Sequence, residues 1–152
     1  MIELDDELKE VKIHQIMTKD VIAANPNNKF SQAFQFFIER KINHLPVCEN
    51  GVLQGILSAK DMMNAVYNHI IVQKKTDMAE LDSTVKIVDI MTRNPTTVTA
   101  DTSVLEVKEI FGKASFNCLP VLHEGKLVGI VSPKDLVQMR IVHIDGSQYG
   151  GY

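Results

Sequence analysis

A chain of 152 residues, with 45% hydrophobic and 23% charged residues, has the length and composition of one compact domain or of two half-sized units that share a core. Its formal net charge of −3 gives no electrostatic reason to expect a nucleic acid or an anionic membrane as a partner. No apolar run approaches the roughly 18 residues of a membrane-spanning helix, and the acidic N-terminus differs from a secretory signal. We therefore expect a cytoplasmic protein whose two cysteines, Cys48 and Cys118, are buried thiols in a reducing compartment.

The first part of the chain alternates short helical and extended patterns. Residues 1–10 form a charged leader, which is either frayed or a helix that requires a partner. Residues 11–18 have the apolar spacing of one or two helical turns, and residues 21–24 predict a short extended piece before a turn at Pro26. A longer helix is predicted for residues 29–41, where apolar residues recur at helical spacing: Phe30, Ala33, Phe36 and Phe37.

A β-hairpin is predicted to follow this helix. The apolar runs 44–48 and 52–58 flank a turn that contains Gly51, which is typical of two antiparallel strands. A further helix begins at Ser58 and extends toward the polar stretch 74–84, which we interpret as a linker.

The predicted order of elements, helix-strand-helix-strand-strand-helix, occurs twice in this chain, at an offset of 74 residues. Three motifs mark the duplication: Ile16-Met17-Thr18 with Ile90-Met91-Thr92, Leu45-Pro46-Val47 with Leu119-Pro120-Val121, and Gly55-x-x-Ser58-x-x-Asp61 with Gly129-x-x-Ser132-x-x-Asp135. The sequence therefore predicts repeat 1 at 11–73, a linker at 74–84, repeat 2 at 85–141 and a flexible tail at 142–152. In repeat 2, Ser103 and Glu106 have the spacing of a helix capping box.

Together these motifs resemble the cystathionine β-synthase (CBS) domain family, specifically the tandem CBS pair called a Bateman module, over about residues 11–140. The resemblance implies an α+β fold in which two pseudo-symmetric repeats pack sheet to sheet. It also implies that an adenosine derivative (AMP, ADP, ATP or S-adenosylmethionine) binds in clefts built from the beginning of one repeat and the Ser-x-x-Asp motif of the other.

The resemblance assigns the candidate ligand-binding residues to two sites. One site would use Thr18, Ala23 and Ile42 around the adenine, with Ser132 and Asp135 at the ribose and phosphate. The pseudo-symmetric site would use Thr92, Thr97 and Phe116, with Ser58 and Asp61. Related nucleotide-sensing modules often place basic or histidine side chains just before Leu-Pro-Val, and here those positions hold Asn43-His44 and Asn117-Cys118.

The Ser-x-x-Asp motif suits a nucleoside phosphate on chemical grounds. A carboxylate can accept from both hydroxyls of a ribose diol, and a serine at a helix N-terminus lies where free N–H groups favour a phosphate oxygen. The same pattern is equally close to a capping box, in which Ser132 caps the helix and Asp135 offsets its dipole. The residues alone leave both interpretations open.

The sequence offers fewer side chains that could distinguish a monophosphate from a polyphosphate. His44 is either a phosphate contact when protonated or a structural residue, and Lys60 and Lys134 are alternative phosphate partners that otherwise face water. Cys118 supplies no positive charge, so a monophosphate or an uncharged adenosyl group fits the site at the second hairpin better than a polyphosphate.

No catalytic or metal-binding set is recognisable in the sequence. The five histidines form no pair at metal-ligand spacing with a cysteine or carboxylate, and a nucleophile elbow and a phosphate-binding Gly-rich loop are both absent. We therefore expect a non-catalytic regulatory module without a metal, which binds an adenosine ligand and signals to an effector protein.

A homodimer is also expected. Its contacts would come from the apolar helices at about 62–70 and 136–141. The alternative is a structural dimerisation module whose clefts are empty or occluded, with Phe116 crowding one of them.

Overall fold

The computed structural model describes residues 2–75 and 77–144. The chain forms two compact units. Unit 1 combines the chain up to Val21 with the chain from Thr96 onward, and unit 2 is Ile22–Pro95. Each unit therefore holds the first residues of one sequence repeat together with the remainder of the other, so the units do not coincide with the repeats.

The helices and strands follow in chain order. Unit 1 begins with α1 (Ile2–Glu10) and a 3₁₀ turn (Ile13–Gln15). Unit 2 contains α2 (Phe30–Arg40), β1 (His44–Glu49), β2 (Val52–Ser58), α3 (Ala59–Tyr67) with a π-helical continuation (Asn68–Val72), α4 (Met78–Thr84), α5 (Ile87–Ile90) and β3 (Thr92–Arg93). Unit 1 resumes with β4 (Val98–Thr99), α6 (Val104–Lys113), β5 (Leu119–His123), β6 (Lys126–Val131) and α7 (Pro133–Ile144). This confirms the α+β class, the long helices and both predicted hairpins.

Each unit has a three-stranded sheet built around one hairpin, and the third strand lies on the second hairpin strand in unit 2 and on the first in unit 1. In unit 2, β1 and β2 form an antiparallel hairpin, and β3 adds to β2 with Thr92 opposite Ile56. In unit 1, β4 runs parallel to β5, β5 and β6 form the hairpin, and Thr18 makes an antiparallel bridge to Ile130 at the β6 edge. The Thr of each Ile-Met-Thr motif thus pairs with the hairpin of the other sequence repeat.

Apolar side chains between sheet and helices form a separate core in each unit. The fully buried side chains of unit 2 include Phe30, Leu45, Val47, Leu57 and Ile87, and those of unit 1 include Ile13, Val107, Leu119, Val121 and Val131. Each such side chain contributes about 1.5–3 kcal/mol through its removal from water. The Leu-Pro-Val motifs are therefore core strands, and they hold the neighbouring polar positions in place.

Two segments are more ordered than the sequence indicated. The charged leader forms α1, which packs on α6 with its Leu8 buried in the unit 1 core, so it is not frayed. The stretch interpreted as a linker contains α4, whose Leu81 is buried in the unit 2 core. Helix α7 continues through residues 142–144, the beginning of the predicted tail, whereas 145–152 lie outside the described residues.

Two further observations concern the chain in general. No helix within residues 2–75 and 77–144 combines the length and hydropathy needed to cross a bilayer. Cys48 and Cys118 are free thiols of intermediate exposure. The sequence analysis expected both to be buried, and neither is fully buried.

Candidate functional site

The first Ser-x-x-Asp motif forms the junction of β2 and α3 in unit 2. The Ser58 hydroxyl oxygen accepts from the Asp61 backbone N–H at 3.0 Å, and Asp61 Oδ2 accepts from the Ser58 backbone N–H at 2.9 Å. This reciprocal pair is a capping box, with Asp in place of the usual Glu or Gln. The cap uses one oxygen of the Asp61 carboxylate, and no described residue donates a hydrogen bond to Oδ1.

The second motif forms the junction of β6 and α7 in unit 1, with a different hydrogen-bond pattern. Asp135 Oδ2 accepts from the Ser132 backbone N–H at 2.8 Å, and the Ser132 hydroxyl also donates to Oδ2, at 3.3 Å. The Asp135 backbone N–H donates to the Ser132 carbonyl at 3.0 Å instead of the hydroxyl. Among the described residues, Oδ1 of Asp135 likewise receives no hydrogen bond.

The Thr of an Ile-Met-Thr motif lies beside each of these junctions. In unit 1, Thr18 and Ile130 exchange two backbone hydrogen bonds, of 2.9 and 3.0 Å, two residues before Ser132. In unit 2, Thr92 pairs with Ile56, again two residues before the serine. Both threonines are exposed, so their side chains are accessible to a ligand at these junctions.

The glycine of each Gly-x-x-Ser-x-x-Asp motif permits this close pairing. A Cβ atom added at Gly129 would lie 2.3 Å from Met17 Sδ, and one added at Gly55 would lie 2.6 Å from the Thr92 carbonyl oxygen and 2.7 Å from Met91 Sδ. Met17 and Met91 therefore cover the glycines, a role that the sequence reasoning missed. The repetition of Met and Gly at one common offset was the available signal.

The side chains preceding the Leu-Pro-Val strands lie next to the junctions. His44 is opposite Ser58 in the hairpin register, and burial lowers its pKa, partly offset by the negative charge of Asp61. At pH 7 the imidazole is therefore mainly uncharged. Burial, reinforced by the charge of Asp135, raises the pKa of Cys118 to about 12, so this thiol stays protonated.

Burial also dominates the electrostatics of Asp135. It raises the pKa of this carboxyl above 3.8, while the hydrogen bonds from Ser132 and the charge of Lys134 act in the opposite direction. A carboxylate short of solvation gains more from added hydrogen-bond donors than an exposed one does. The hydroxyls of a bound ribose are donors of this kind.

The structure divides the sequence-predicted site residues between the two units. Unit 2 brings together His44, Ser58, Asp61 and Thr92, which we call the Ser58 cluster, and unit 1 brings together Thr18, Cys118, Ser132 and Asp135, the Ser132 cluster. Asn43 joins the first cluster because its carbonyl accepts from Ala59 N–H at 2.9 Å. Ala23 and Ile42 belong to unit 2, and Thr97, Asn117 and the 38% exposed Phe116 belong to unit 1, so each predicted site combines residues of both units.

The chemistry available at these clusters is hydrogen bonding and electrostatics. Carboxylates, hydroxyls and one imidazole lie at the N-termini of α3 and α7, where free N–H groups favour anions and polar ligands. Within the described residues, no group of three His, Cys, Asp or Glu side chains is arranged to hold a metal ion.

Comparison with known proteins identifies the family. The protein-family model for the CBS domain matches residues 13–68 and 87–141. A CBS domain-containing protein of Dictyostelium discoideum is 28% identical over 134 residues, which cover 87% of this chain and 92% of that protein. The uncharacterised protein MJ0188 of Methanocaldococcus jannaschii is 30% identical over 86% of this chain, but the chain spans only 44% of that relative's length.

A solved structure gives the same answer for the fold. The CBS domain pair of protein MJ0100, in complex with 5′-methylthioadenosine and S-adenosyl-L-methionine, superposes with a TM-score of 0.66 at 28% identity, covering 86% of this chain and 99% of that one. The duplicated motifs, the three-stranded sheet in each unit and these matches agree. The chain belongs to the CBS domain family and carries two CBS domains.

Proposed function

We propose that this chain is a non-catalytic regulatory module that binds an adenosine-containing ligand, of the AMP, ADP, ATP or S-adenosylmethionine type, and passes its binding state to an effector protein. One observation carries the proposal: each unit places a partly buried aspartate beside an exposed threonine of the other repeat's Ile-Met-Thr motif, and one oxygen of its carboxylate accepts no hydrogen bond from the described residues. The relative solved with two adenosine compounds supports the ligand class.

The capping and ligand-binding interpretations of Ser-x-x-Asp are compatible in this geometry. The cap uses Oδ2 of Asp61 or Asp135 and fixes the carboxylate in one orientation. The unused Oδ1 is then available to a ribose hydroxyl. A preorganised acceptor binds with a smaller entropic cost than a mobile one.

Regulation would follow from contacts to two segments at once. A ligand held by Asp135 and Thr18 touches both α7 and the strand edge that belongs to the first repeat. It favours the arrangement in which these segments are closest, and it shifts the equilibrium only by its difference in affinity for the two arrangements. An effector protein that distinguishes these arrangements would receive the signal.

A thermal-shift panel with AMP, ATP, S-adenosylmethionine and NADH tests the proposal. A ligand at about one hundred times its Kd stabilises the fold by roughly 2.7 kcal/mol, which corresponds to a rise in Tm of about 5–10 °C for a protein of this size. The rise should be reduced in Asp61→Ala and in Asp135→Ala, and kept in Glu109→Ala, a control that removes an exposed carboxylate of α6. No shift with any of these compounds at millimolar concentration would count against ligand sensing.

We further propose that the module is a homodimer that uses the apolar face of α3. A groove of about 410 Å³ lies between α2 and α3, and its lining includes Met62, Met63 and Ile70. In this groove Met63 of α3 is 71% exposed and Ile38 of α2 is 64% exposed. Large apolar side chains exposed on one continuous surface favour association with another protein surface. A second groove, of about 340 Å³, includes Leu136 of α7 in unit 1.

The oligomeric state is measurable by sedimentation equilibrium. Met63→Lys places a charge in the groove and should convert the dimer to monomer, whereas Asn64→Lys, an exposed neighbour on the same helix, should not. The same groove favours the second candidate function, a dimerisation module without a ligand. That function is the better description if the dimer forms and no adenosine compound shifts the Tm.

A further inference from the structure

The two apolar grooves occupy equivalent places in the duplicated chain but differ in shape. The unit 2 groove lies between α2 and α3, and the unit 1 groove is lined by their equivalents α6 and α7 and by α1. Five large apolar side chains that line the unit 2 groove are exposed: Ile38, Met63, Tyr67, Ile70 and Ile71. Among the described residues that line the unit 1 groove, Val137 is the only exposed large apolar side chain. One groove therefore presents projecting side chains, and the other is a recess.

This difference in shape is clearest at the equivalent positions 38 and 112. Ile38 projects from α2 and is exposed, whereas Gly112 of α6 has no side chain. A Cβ atom added at Gly112 would meet no atom within 4 Å, so open space lies where unit 2 has the isoleucine side chain. Gly112 does not have a positive φ, so the backbone conformation does not require a glycine at this position.

The next residue on each helix reverses its charge between the two units. Glu39 follows Ile38, and Lys113 follows Gly112, so these charges also lie at the offset of 74 residues. Both side chains are exposed. The Glu39 carboxylate accepts a hydrogen bond from Gln35 Nε2 at 2.8 Å, and Lys113 forms no ion pair with a described residue. The margins of the two grooves thus differ in charge as well as in shape.

We infer that the homodimer pairs unlike units: the unit 2 groove of one copy packs on the unit 1 groove of the other, and two-fold symmetry repeats this contact. The inference rests on the proposed homodimer, because it names the surface of the second copy that covers each groove. The projecting Ile38 then fills the recess at Gly112 of the other copy, and each contact contains one Glu39 and one Lys113.

The pairing of like units is the less favourable arrangement. It would place projecting side chains against each other in one contact and leave a void in the other, where apolar atoms lose their van der Waals partners. It would also bring two Glu39 carboxylates into one contact and two Lys113 ammonium groups into the other. Like charges across an interface weaken association, so both shape and charge favour unlike units.

An exchange of the two charges tests the pairing. Glu39→Lys gives each contact two lysines, and Lys113→Glu gives each contact two glutamates. Because the dimer contains the pair twice, each single variant should raise the dimer dissociation constant by about tenfold at low salt. The double variant Glu39→Lys/Lys113→Glu restores one charge of each sign to every contact, so its dissociation constant should return to within about threefold of that of the natural protein.

Sedimentation equilibrium at several protein concentrations gives these dissociation constants. The differences between the variants should disappear in about 1 M NaCl, where the Debye length falls to about 3 Å. Glu80→Lys is the matched control, since it reverses an exposed charge of α4 that lines neither groove. It should leave the dissociation constant unchanged.

An exchange of the side chains at positions 38 and 112 tests the shape. Gly112→Ile fills the recess, and Ile38→Gly removes the side chain that occupies it, so each should weaken the dimer by about tenfold or more. The double variant moves the projection to unit 1 and the recess to unit 2, and it should regain most of the affinity. Circular dichroism checks that each variant folds. If Ile38→Gly disturbs α2, the charge exchange, which alters only exposed side chains, gives an independent answer.

The outcomes separate the inference from the proposed homodimer. If neither double variant dimerises more tightly than its single variants, the pairing of unlike units is overturned. A dimer that Met63→Lys still dissociates would then leave the proposed homodimer intact. If the natural protein is monomeric at every concentration tested, the proposed homodimer fails and the inference fails with it.

Discussion

The two motif glycines allow a direct test of how the Ile-Met-Thr segments are held. Neither Gly55 nor Gly129 has a positive φ, so the backbone conformation itself does not oppose alanine at either position. Any destabilisation in Gly55→Ala or Gly129→Ala must then come mainly from the atoms that the new methyl group meets. Those atoms differ between the two sites.

At Gly129 the obstacle is one flexible side chain. The new Cβ would lie 2.3, 2.9 and 3.0 Å from Met17 Sδ, Cγ and Cε, all shorter than the 3.4 Å at which ordinary contact begins. Met17 can change rotamer, at the cost of part of its burial in the unit 1 core, so we expect a loss of about 1–2 kcal/mol in the free energy of unfolding. Because all three nearest atoms belong to Met17, Met17→Ala should remove the whole conflict.

At Gly55 the nearest obstacle belongs to the backbone. The new Cβ would lie 2.6 Å from the Thr92 carbonyl oxygen, and it would also lie 2.7 Å from Met91 Sδ. Strand β3 must therefore shift by several tenths of an ångström against β2, and we expect a loss of about 2–4 kcal/mol. Met91→Ala relieves only the contact with sulfur, so most of the loss should persist in the double variant.

Urea unfolding of each single and double variant gives two double-mutant cycles. The coupling energy should be about 1–2 kcal/mol for Gly129→Ala with Met17→Ala and distinctly smaller for Gly55→Ala with Met91→Ala. Equal coupling in the two cycles, or no destabilisation by either alanine, would refute the steric argument. Unchanged m-values are required for the comparison, since they show that each variant unfolds from a similarly compact state.

Three further substitutions test individual interactions by urea unfolding. Asp82→Ala removes the acceptor of the Ser31 backbone N–H (2.8 Å) and hydroxyl (2.6 Å), and it should cost about 2 kcal/mol. Burial raises the pKa of Asp135 above 3.8, so its ionised form opposes folding at neutral pH, and this penalty vanishes as the pH falls below 3.8. Asp135→Asn, which keeps an acceptor for Ser132, should therefore be more stable than the natural protein at pH 7 and equal to it near about pH 3. Lys29→Ser should stabilise the protein by about 0.5–1 kcal/mol, because α2 has no side-chain hydrogen bond at its N-cap, whereas the equivalent Ser103 caps α6. A gain of stability in Asp82→Ala, a pH-independent effect of Asp135→Asn, or a loss in Lys29→Ser would contradict these expectations.

The parts of the fold that the sequence predicted are those with strong local patterns. Helix α2 has apolar residues at helical spacing, and its observed range, Phe30–Arg40, lies within the predicted 29–41. The hairpins have apolar runs on either side of a glycine, and Gly51 and Gly125 adopt the positive φ that such turns require. In these elements, local sequence and tertiary packing favour the same structure.

The sequence analysis predicted helix α1 only as one of two alternatives and did not indicate α4, because little in their own sequence stabilises these short helices. Each contributes few apolar side chains, mainly Leu4 and Leu8 in α1 and Leu81 in α4, and surrounds them with charged residues. Isolated helices of this length are marginal in water, so their stability comes from packing on α6 or α2. A single-sequence pattern contains no information about that partner.

The hydrophobic periodicity of the sequence also could not predict which segments of the chain make up each unit. The duplication identifies two equivalent segments, but it does not say which copy of a Thr pairs with which hairpin. Thr18 pairs with Ile130 and Thr92 with Ile56, although each has a hairpin nearer in its own repeat. The resemblance to the CBS family implied this combination of segments, whereas the grouping of His44 with Ser58 and Asp61 required coordinates.

One helix–helix contact occurs at equivalent positions in both units, but it is polar in unit 2 and apolar in unit 1. In unit 2, the Asp82 carboxylate of α4 binds the N-terminal turn of α2 through Ser31. In unit 1 the equivalent residues are both apolar: Leu8 belongs to the core, and the partly buried Leu105 packs against it. Changing one partner alone would leave a partly buried polar group without its hydrogen bond, so such a pair is stable only when both members have the same character. The Ser58 and Ser132 clusters keep the same Thr, Ser and Asp at equivalent positions and differ at His44 and Cys118. Internal symmetry in this protein therefore predicts where equivalent groups lie, whereas their individual hydrogen bonds differ, as those of Ser58 and Ser132 do.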